Sequence, residues 1–142
     1  MGNSSAHIHC LLQDKEFIAD LARAIAREIH ASQRQELNEI VVGPLFVDAS
    51  ARVAFVEGQR IPLTPQEFRL LEALARHAGM LMSRDILLRI AWERPIDSTS
   101  NRAVDIHVSR LRGKLRKAFG ASEERVEIVP VHKSGYRLIT SP

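Results

Sequence analysis

At 142 residues and 45% apolar side chains, the chain has material for one domain of ordinary size plus an appendage, and it is too apolar to be disordered. A single cysteine, Cys10, excludes an internal disulfide and a thiolate zinc site, and no apolar run approaches the roughly 18 residues that a membrane helix needs. The net charge of +3 is unevenly spread: residues 1–39 hold four basic and six acidic side chains and the remainder sixteen and eleven, so an anionic partner belongs to the second part.

The N-terminus, Met-Gly-Asn-Ser-Ser-Ala-His, lacks the basic head and long apolar body of a secretion signal, so a soluble, cytoplasmic protein is expected. Residues 16–36 then place Phe17, Ile18, Leu21, Ala22, Ile25 and Ile29 on one side of a helix. Such a stripe needs cover, either from the rest of the chain or from a second copy. Self-association into a homodimer is the favoured reading, because so short a segment cannot build its own core. His7 and His9 have no third ligand nearby, so no metal is expected, and Asp14, Glu16 and Asp20 read as solvated charges near a helix start. Patterning changes from helical to strand-like between Asn38 and Gly43-Pro44, dividing the chain into an N-terminal amphipathic segment, 1–39, and a domain, 40–142.

Ile40 to Val47, Arg52 to Glu57 and Gln59 to Leu63 are short β-branched and aromatic runs broken by Gly43-Pro44, Asp48-Ala49-Ser50 and Gly58, which predicts a small antiparallel sheet. Thr64-Pro65-Gln66-Glu67 supplies an N-cap threonine, a proline at the first helical position and a glutamate three residues on, together a capping box. The helix that starts there is expected to bury Phe68, Leu71, Leu74, Ala75 and Ala78 and to stop at Gly79. A second helix, Arg84 to Trp92, begins at Ser83 with Ile86, Leu87 and Ile90 inward, and residues 93–100, containing Pro95, form a loop.

The helix from Asn101 onward is the most informative. At about 100° per residue, Val104, Val108, Leu111, Leu115 and Phe119 fall within roughly a quarter turn, while Arg102, Ile106, Ser109, Arg110, Gly113 and Lys117 lie opposite. Ser98 or Ser100 can cap its start. Residues 98–117 hold six basic side chains against one acid, Asp105, which is expected to pair with a basic neighbour. A charge run is ordinarily a solvated face, but Ile106 stands in the middle of this one, where a thymine methyl group in a major groove would use it. His107, on the flank, can pack on a neighbouring strand.

Val126 to Val131 and Tyr136 to Thr140 flank His132-Lys133-Ser134-Gly135, giving a β-hairpin with a basic tip. Sheet, three helices and basic hairpin together predict an α+β winged helix-turn-helix. A helix about 10–12 Å wide fits a major groove about 12 Å wide, and a hairpin tip reaches the adjacent backbone or minor groove. Sequence-specific binding of double-stranded DNA is the predicted function; the alternative is a winged-helix module for a protein partner. With no glycine-rich phosphate loop and no nucleophile beside an evident base, neither enzymatic activity nor a cofactor is expected.

Leu63-Thr64-Pro65-Gln66-Glu67-Phe68-Arg69-Leu70-Leu71, Ser83-Arg84-Asp85-Ile86-Leu87 with Trp92, Arg102-Ala103-Val104-Asp105-Ile106-His107-Val108 through Arg110-Leu111-Arg112, and Ser134-Gly135-Tyr136-Arg137-Leu138 occur in this order across residues 43–140. Together they resemble the effector domain of OmpR/PhoB-type response regulators. The resemblance implies a four-stranded N-terminal sheet, a three-helix core and a wing, binding promoter DNA and contacting RNA polymerase through the loop at 93–100. It assigns Arg102, His107 and Arg112 mainly to phosphates, Ile106 and Arg110 to base edges, and the wing tip to the region of the minor groove.

Three positions depart from the family pattern: His132-Lys133 stands where arginine followed by glycine is common, and Ser109 where arginine is common. The segment His7 to Ala22 resembles the first strand, acidic turn and first helix of a receiver domain, with a strand at Ile8 to Leu12 that could pair across a dimer. Leu12 and Gln13 occupy places where Mg²⁺-holding acids are expected, so control by phosphorylation is not expected.

Overall fold

The computed structural model describes the backbone of residues 3–92 and 100–141, and it forms two compact units, Met1–Leu37 and Asn38–Pro142. The first is one long helix, α1, Asn3–Asn38. The strand anticipated at Ile8 to Leu12 is therefore absent, and with it the likeness to a receiver's first strand. The reason is local: residues 3–38 contain no proline or glycine and are rich in Ala, Leu, Glu, Gln and Arg, and a helix satisfies its backbone groups without a pairing partner. Phe17, Ile18, Leu21, Ile25 and Ile29 on α1 are all about half exposed or more.

The second unit opens with β1 (Glu39–Val42), β2 (Leu45–Asp48), β3 (Val53–Val56) and β4 (Gln59–Ile61), an antiparallel meander in sequence order. Gly43, at φ +55°, turns β1 into β2. The Asp48 carboxylate accepts hydrogen bonds from the Ser50 and Ala51 amides and the Ser50 hydroxyl at the β2–β3 turn, which holds its pKa below the usual value. Alternation puts Leu45, Val47, Ala54, Val56 and Ile61 into the core.

Helix α2 (Pro65–Arg76) has the anticipated capping box, with the Glu67 amide donating to Thr64 Oγ1 at 3.3 Å and the Thr64 amide to Glu67 Oε2 at 3.1 Å. It buries Phe68, Leu70, Leu71, Ala73, Leu74 and Ala75; Ala78 lies beyond its end and is exposed. Gly79, at φ +82°, stands two residues past the cap and donates to the Leu138 carbonyl at 2.7 Å, so it joins α2 to the hairpin instead of closing the helix.

Met82–Ser83 form a short strand, β5, which precedes α3 (Arg84–Trp92). Leu87, Leu88 and Ala91 make the inward face of α3, whereas Ile86 and Ile90, expected inside, are 47% and 39% exposed. Apolar residues flank α3 on both sides, so periodicity alone could not choose the face that α2 and the next helix would cover. That helix, α4, spans Ser100–Phe119 and is followed by the hairpin β6 (Arg125–Val131) and β7 (Gly135–Ser141). β7 is central in the second sheet, ordered β5-β7-β6. A sheet, a three-helix core and a C-terminal wing make the α+β winged helix-turn-helix.

Candidate nucleic-acid interface

α4 divides as its wheel requires. Val104, Val108, Leu111, Leu115 and Phe119 are buried, while Arg102, Ile106, Ser109, Arg110, Gly113 and Lys117 are exposed. Arg102, Asp105, Ile106, Ser109 and Arg110 line one open depression, with Ile106 45% exposed among them. Four of the sequence-selected residues thus share a surface with an apolar contact at its centre and guanidinium groups about it.

Asp105, the only acid on this helix, is held from two sides. Its Oδ1 accepts from Arg84 Nε at 2.8 Å and from the Tyr136 hydroxyl at 2.6 Å, and the Arg84 guanidinium lies 5.3 Å from the Tyr136 ring centre. The Asp105 hydrogen bond and charge raise the pKa of Arg84 further, against the opposing effect of burial. Burial, and then the bond to Asp105, pushes that of Tyr136 up. The pairing expected for Asp105 is present, though the sequence did not say with which residue; a lone acid within a cationic helix was the available signal.

His107 lies against a helix, not a strand: its ring meets Trp92 of α3 edge-on at 5.0 Å, and its Nδ1 is 2.8 Å from the Ala103 carbonyl. If Nδ1 donates there, Nε2 can donate to a phosphate only when the ring carries a second proton. Arg112 is half-buried on the opposite flank, where with Arg116 it borders a narrow cleft against Val126 to Val129 of β6.

Lys114 leaves the cationic face altogether. Its ammonium bonds Glu67 Oε2 at 2.5 Å, and Glu67 is only 1% exposed. Burial raises the Glu67 pKa, but the hydrogen bonds from Lys114 and the Thr64 backbone outweigh it and hold the carboxyl below its ordinary value. Lys114 is one of the six basic side chains counted over residues 98–117, and spacing alone cannot reveal its acid 47 residues away. Arg116, with Lys114 the other of those six not expected to contact DNA, is exposed on the same helix.

At the wing, His132 and Lys133 are exposed in a turn closed by the Ser134 amide on the Val131 carbonyl at 3.0 Å, with Lys133 left-handed at φ +58°. The anticipated loop at 93–100 lies outside the described residues except for Ser100, which begins α4. Side chains of residues 1–15, among them His7, His9 and Asp14, also lie outside the description.

A helix pair whose second member is cationic and exposed, beside a hairpin with a basic tip, defines a winged-helix domain of the nucleic-acid-binding class. Residues 58–138 match the family described as "Transcriptional regulatory protein, C terminal", and the chain belongs to it. It is 39% identical over 82 residues to the transcriptional regulatory protein CusR of Escherichia coli K12, covering 58% of this chain and 36% of CusR. It is 36% identical over 107 residues to CpxR of the same strain, covering 72% and 45%. The DNA-binding domain of Klebsiella pneumoniae RstA, solved in complex with its RstA box, is similar at 32% identity and a TM-score of 0.59, over 71% of this chain and 96% of that one. The chain spans less than half the length of CusR and CpxR.

Proposed function

We propose that this chain is a transcriptional regulator that binds double-stranded promoter DNA sequence-specifically, with α4 in the major groove and the wing, residues 131–136, on the adjacent backbone or minor groove. The observation that carries the reading is the half-exposed Ile106 set among Arg102, Ser109 and Arg110 on the face of α4 turned away from the core. Ile106 meets a thymine methyl, and Arg110 bonds guanine O6 and N7, a contact that contributes about 1–3 kcal/mol of discrimination. Arg102, His107, Ser109, Arg112 and Lys117 hold the backbone, with His132 and Lys133 at the wing. The similarity to the RstA domain, solved with its DNA box, supports the same reading.

Selection of bound sequences from a random DNA pool with the full chain tests it, followed by titration against salt. A recovered motif, with log K falling against log salt at a slope of about −4 to −5, is the expected result for four to six neutralised phosphates. No enriched motif and flat salt dependence would favour a protein partner. Arg110→Ala is expected to relax sequence preference, whereas Arg112→Ala weakens cognate and random DNA nearly equally; equal loss on both duplexes for both variants refutes that division.

The chain acts as a homodimer through α1 and contacts RNA polymerase through residues 93–100. Support for the dimer comes from the exposed stripe Phe17, Leu21, Ile25 and Ile29, spaced every four residues, since an isolated helix gains most of its stability from a packed apolar face. In the full chain, Leu21→Lys with Ile25→Lys is expected to halve the mass seen by light scattering. An unchanged mass sinks the dimer. Promoter binding places the protein in the bacterial cytoplasm, on the nucleoid, and no helix among the described residues is long and apolar enough to cross a membrane.

A further inference from the structure

Asp105 poses an electrostatic problem that DNA binding alone does not solve. Its side chain is 45% exposed and lines the same depression as Arg102, Ile106, Ser109 and Arg110, so a carboxylate stands where a polyanion is to approach. What it offers in return is geometry. One oxygen, Asp105 Oδ1, takes a charge-assisted bond from Arg84 at the start of α3 and another from Tyr136 at the start of β7. Tyr136 is buried and follows Lys133 of the wing tip by three positions, while Ile106 is the next residue after Asp105. A single atom therefore ties the element before the reading helix, the reading helix and the wing.

We infer that Asp105 is a positioning residue for DNA recognition: bridged by Arg84 and Tyr136, it fixes the rotation of α4 relative to the wing, so that Ile106 and Arg110 meet base edges while Lys133 reaches the backbone. Arg84 also neutralises the carboxylate toward the phosphates. The inference rests on the DNA-binding reading and deepens it. It predicts a loss of discrimination, not of general affinity, because phosphate contacts tolerate a small misorientation and bidentate base contacts do not.

The test uses the full chain and two conservative variants, Tyr136→Phe, which removes one hydroxyl, and Asp105→Asn, which removes the charge and keeps the shape. Each is titrated against the duplex enriched from the random pool and against a scrambled duplex, at a temperature where circular dichroism shows it folded. The cognate-to-scrambled affinity ratio is expected to fall roughly tenfold in both variants, the size expected for losing one charge-assisted bond. The double variant should do little worse than either single, since one bridge is broken in all three. A carboxylate without this role gives the opposite pattern: Asp105→Asn tightens both duplexes alike and Tyr136→Phe changes neither, which overturns the inference. Should Tyr136→Phe fail to fold, Arg84→Met removes the other donor from a partly exposed position and must move the ratio the same way. A wild-type ratio of one is a separate outcome, and it defeats the DNA-binding reading and this inference together.

Discussion

Replacing Gly135 by alanine is expected to lower the melting temperature of the winged domain by about 10–20 °C, equivalent to roughly 3 kcal/mol for a unit of this size. A Cβ built at Gly135 falls 2.0 Å from the Met82 carbonyl oxygen and 2.9 Å from Ser83 Cα. Those are backbone atoms of β5, which pairs Met82 with Tyr136 and Ser83 with Gly135, so neither can swing aside as a side-chain tip would. Alanine must push β5 away from β7, and the displacement passes directly to Arg84, the residue after β5, and to Tyr136. Gly113→Ala provides the contrast. It lies on the exposed face of α4 with open space about its Cβ, and alanine there is expected to add about 0.5–1 kcal/mol by removing helix-interior glycine. Thermal unfolding followed by circular dichroism measures both. A Gly135→Ala protein that melts within a degree or two of wild type would show that β5 gives way freely.

The same two glycines mark what can and cannot be read from a sequence of this kind. Local rules reached the Thr64 capping box, the two faces of α4 and the hairpin about Lys133, because each depends on residues a few positions apart. β5 was invisible: two residues carry no periodicity, and they form a strand only because β7, more than fifty positions later, lies alongside. The partners of Lys114 and Arg84 were hidden for the same reason, since their acids come from other helices, 47 and 21 positions away. At α3 the pattern itself was ambiguous, with Ile86 and Ile90 as apolar as the Leu87 and Leu88 that the core took. In α1 the likeness of Ile8 to Leu12 to a receiver's first strand lay within a segment whose overall composition favours helix. In the interface, residue types and side were legible; the non-local ties that hold Asp105, His107 and Lys114 were not.

The largest effect of those ties on stability is expected at Glu67. Lys114→Met leaves a carboxylate that is 1% exposed with its capping bond but no counter-ion, and stripping one partner from a buried pair costs about 3–5 kcal/mol. The lysine end is 34% exposed, so water can partly replace it, and about 2 kcal/mol at pH 7 is the expected loss. The loss should depend on pH in a definite direction. In the wild-type protein Glu67 titrates below its ordinary value near 4.5, so its contribution is complete above that value and disappears as pH falls through the lowered folded value. Without Lys114 the remaining dominant influence is burial, which favours the protonated acid; the variant sheds its penalty by taking up a proton, and the two proteins converge in stability toward pH 4. Glu67→Gln added to Lys114→Met should recover most of the loss at pH 7, because glutamine still accepts from the Thr64 amide and carries no charge to leave unpaired. Urea unfolding of the three variants across pH 4–7 gives the comparison. A Lys114→Met deficit that stays constant over that range, or a double variant no better than the single, would mean that lost packing of the lysine stem, and not the buried charge, sets the cost. DNA affinity supplies an independent reading: since Glu67 already neutralises Lys114, removing this lysine should leave the salt slope of binding unchanged, whereas losing a cation that touches phosphate lowers it by about one.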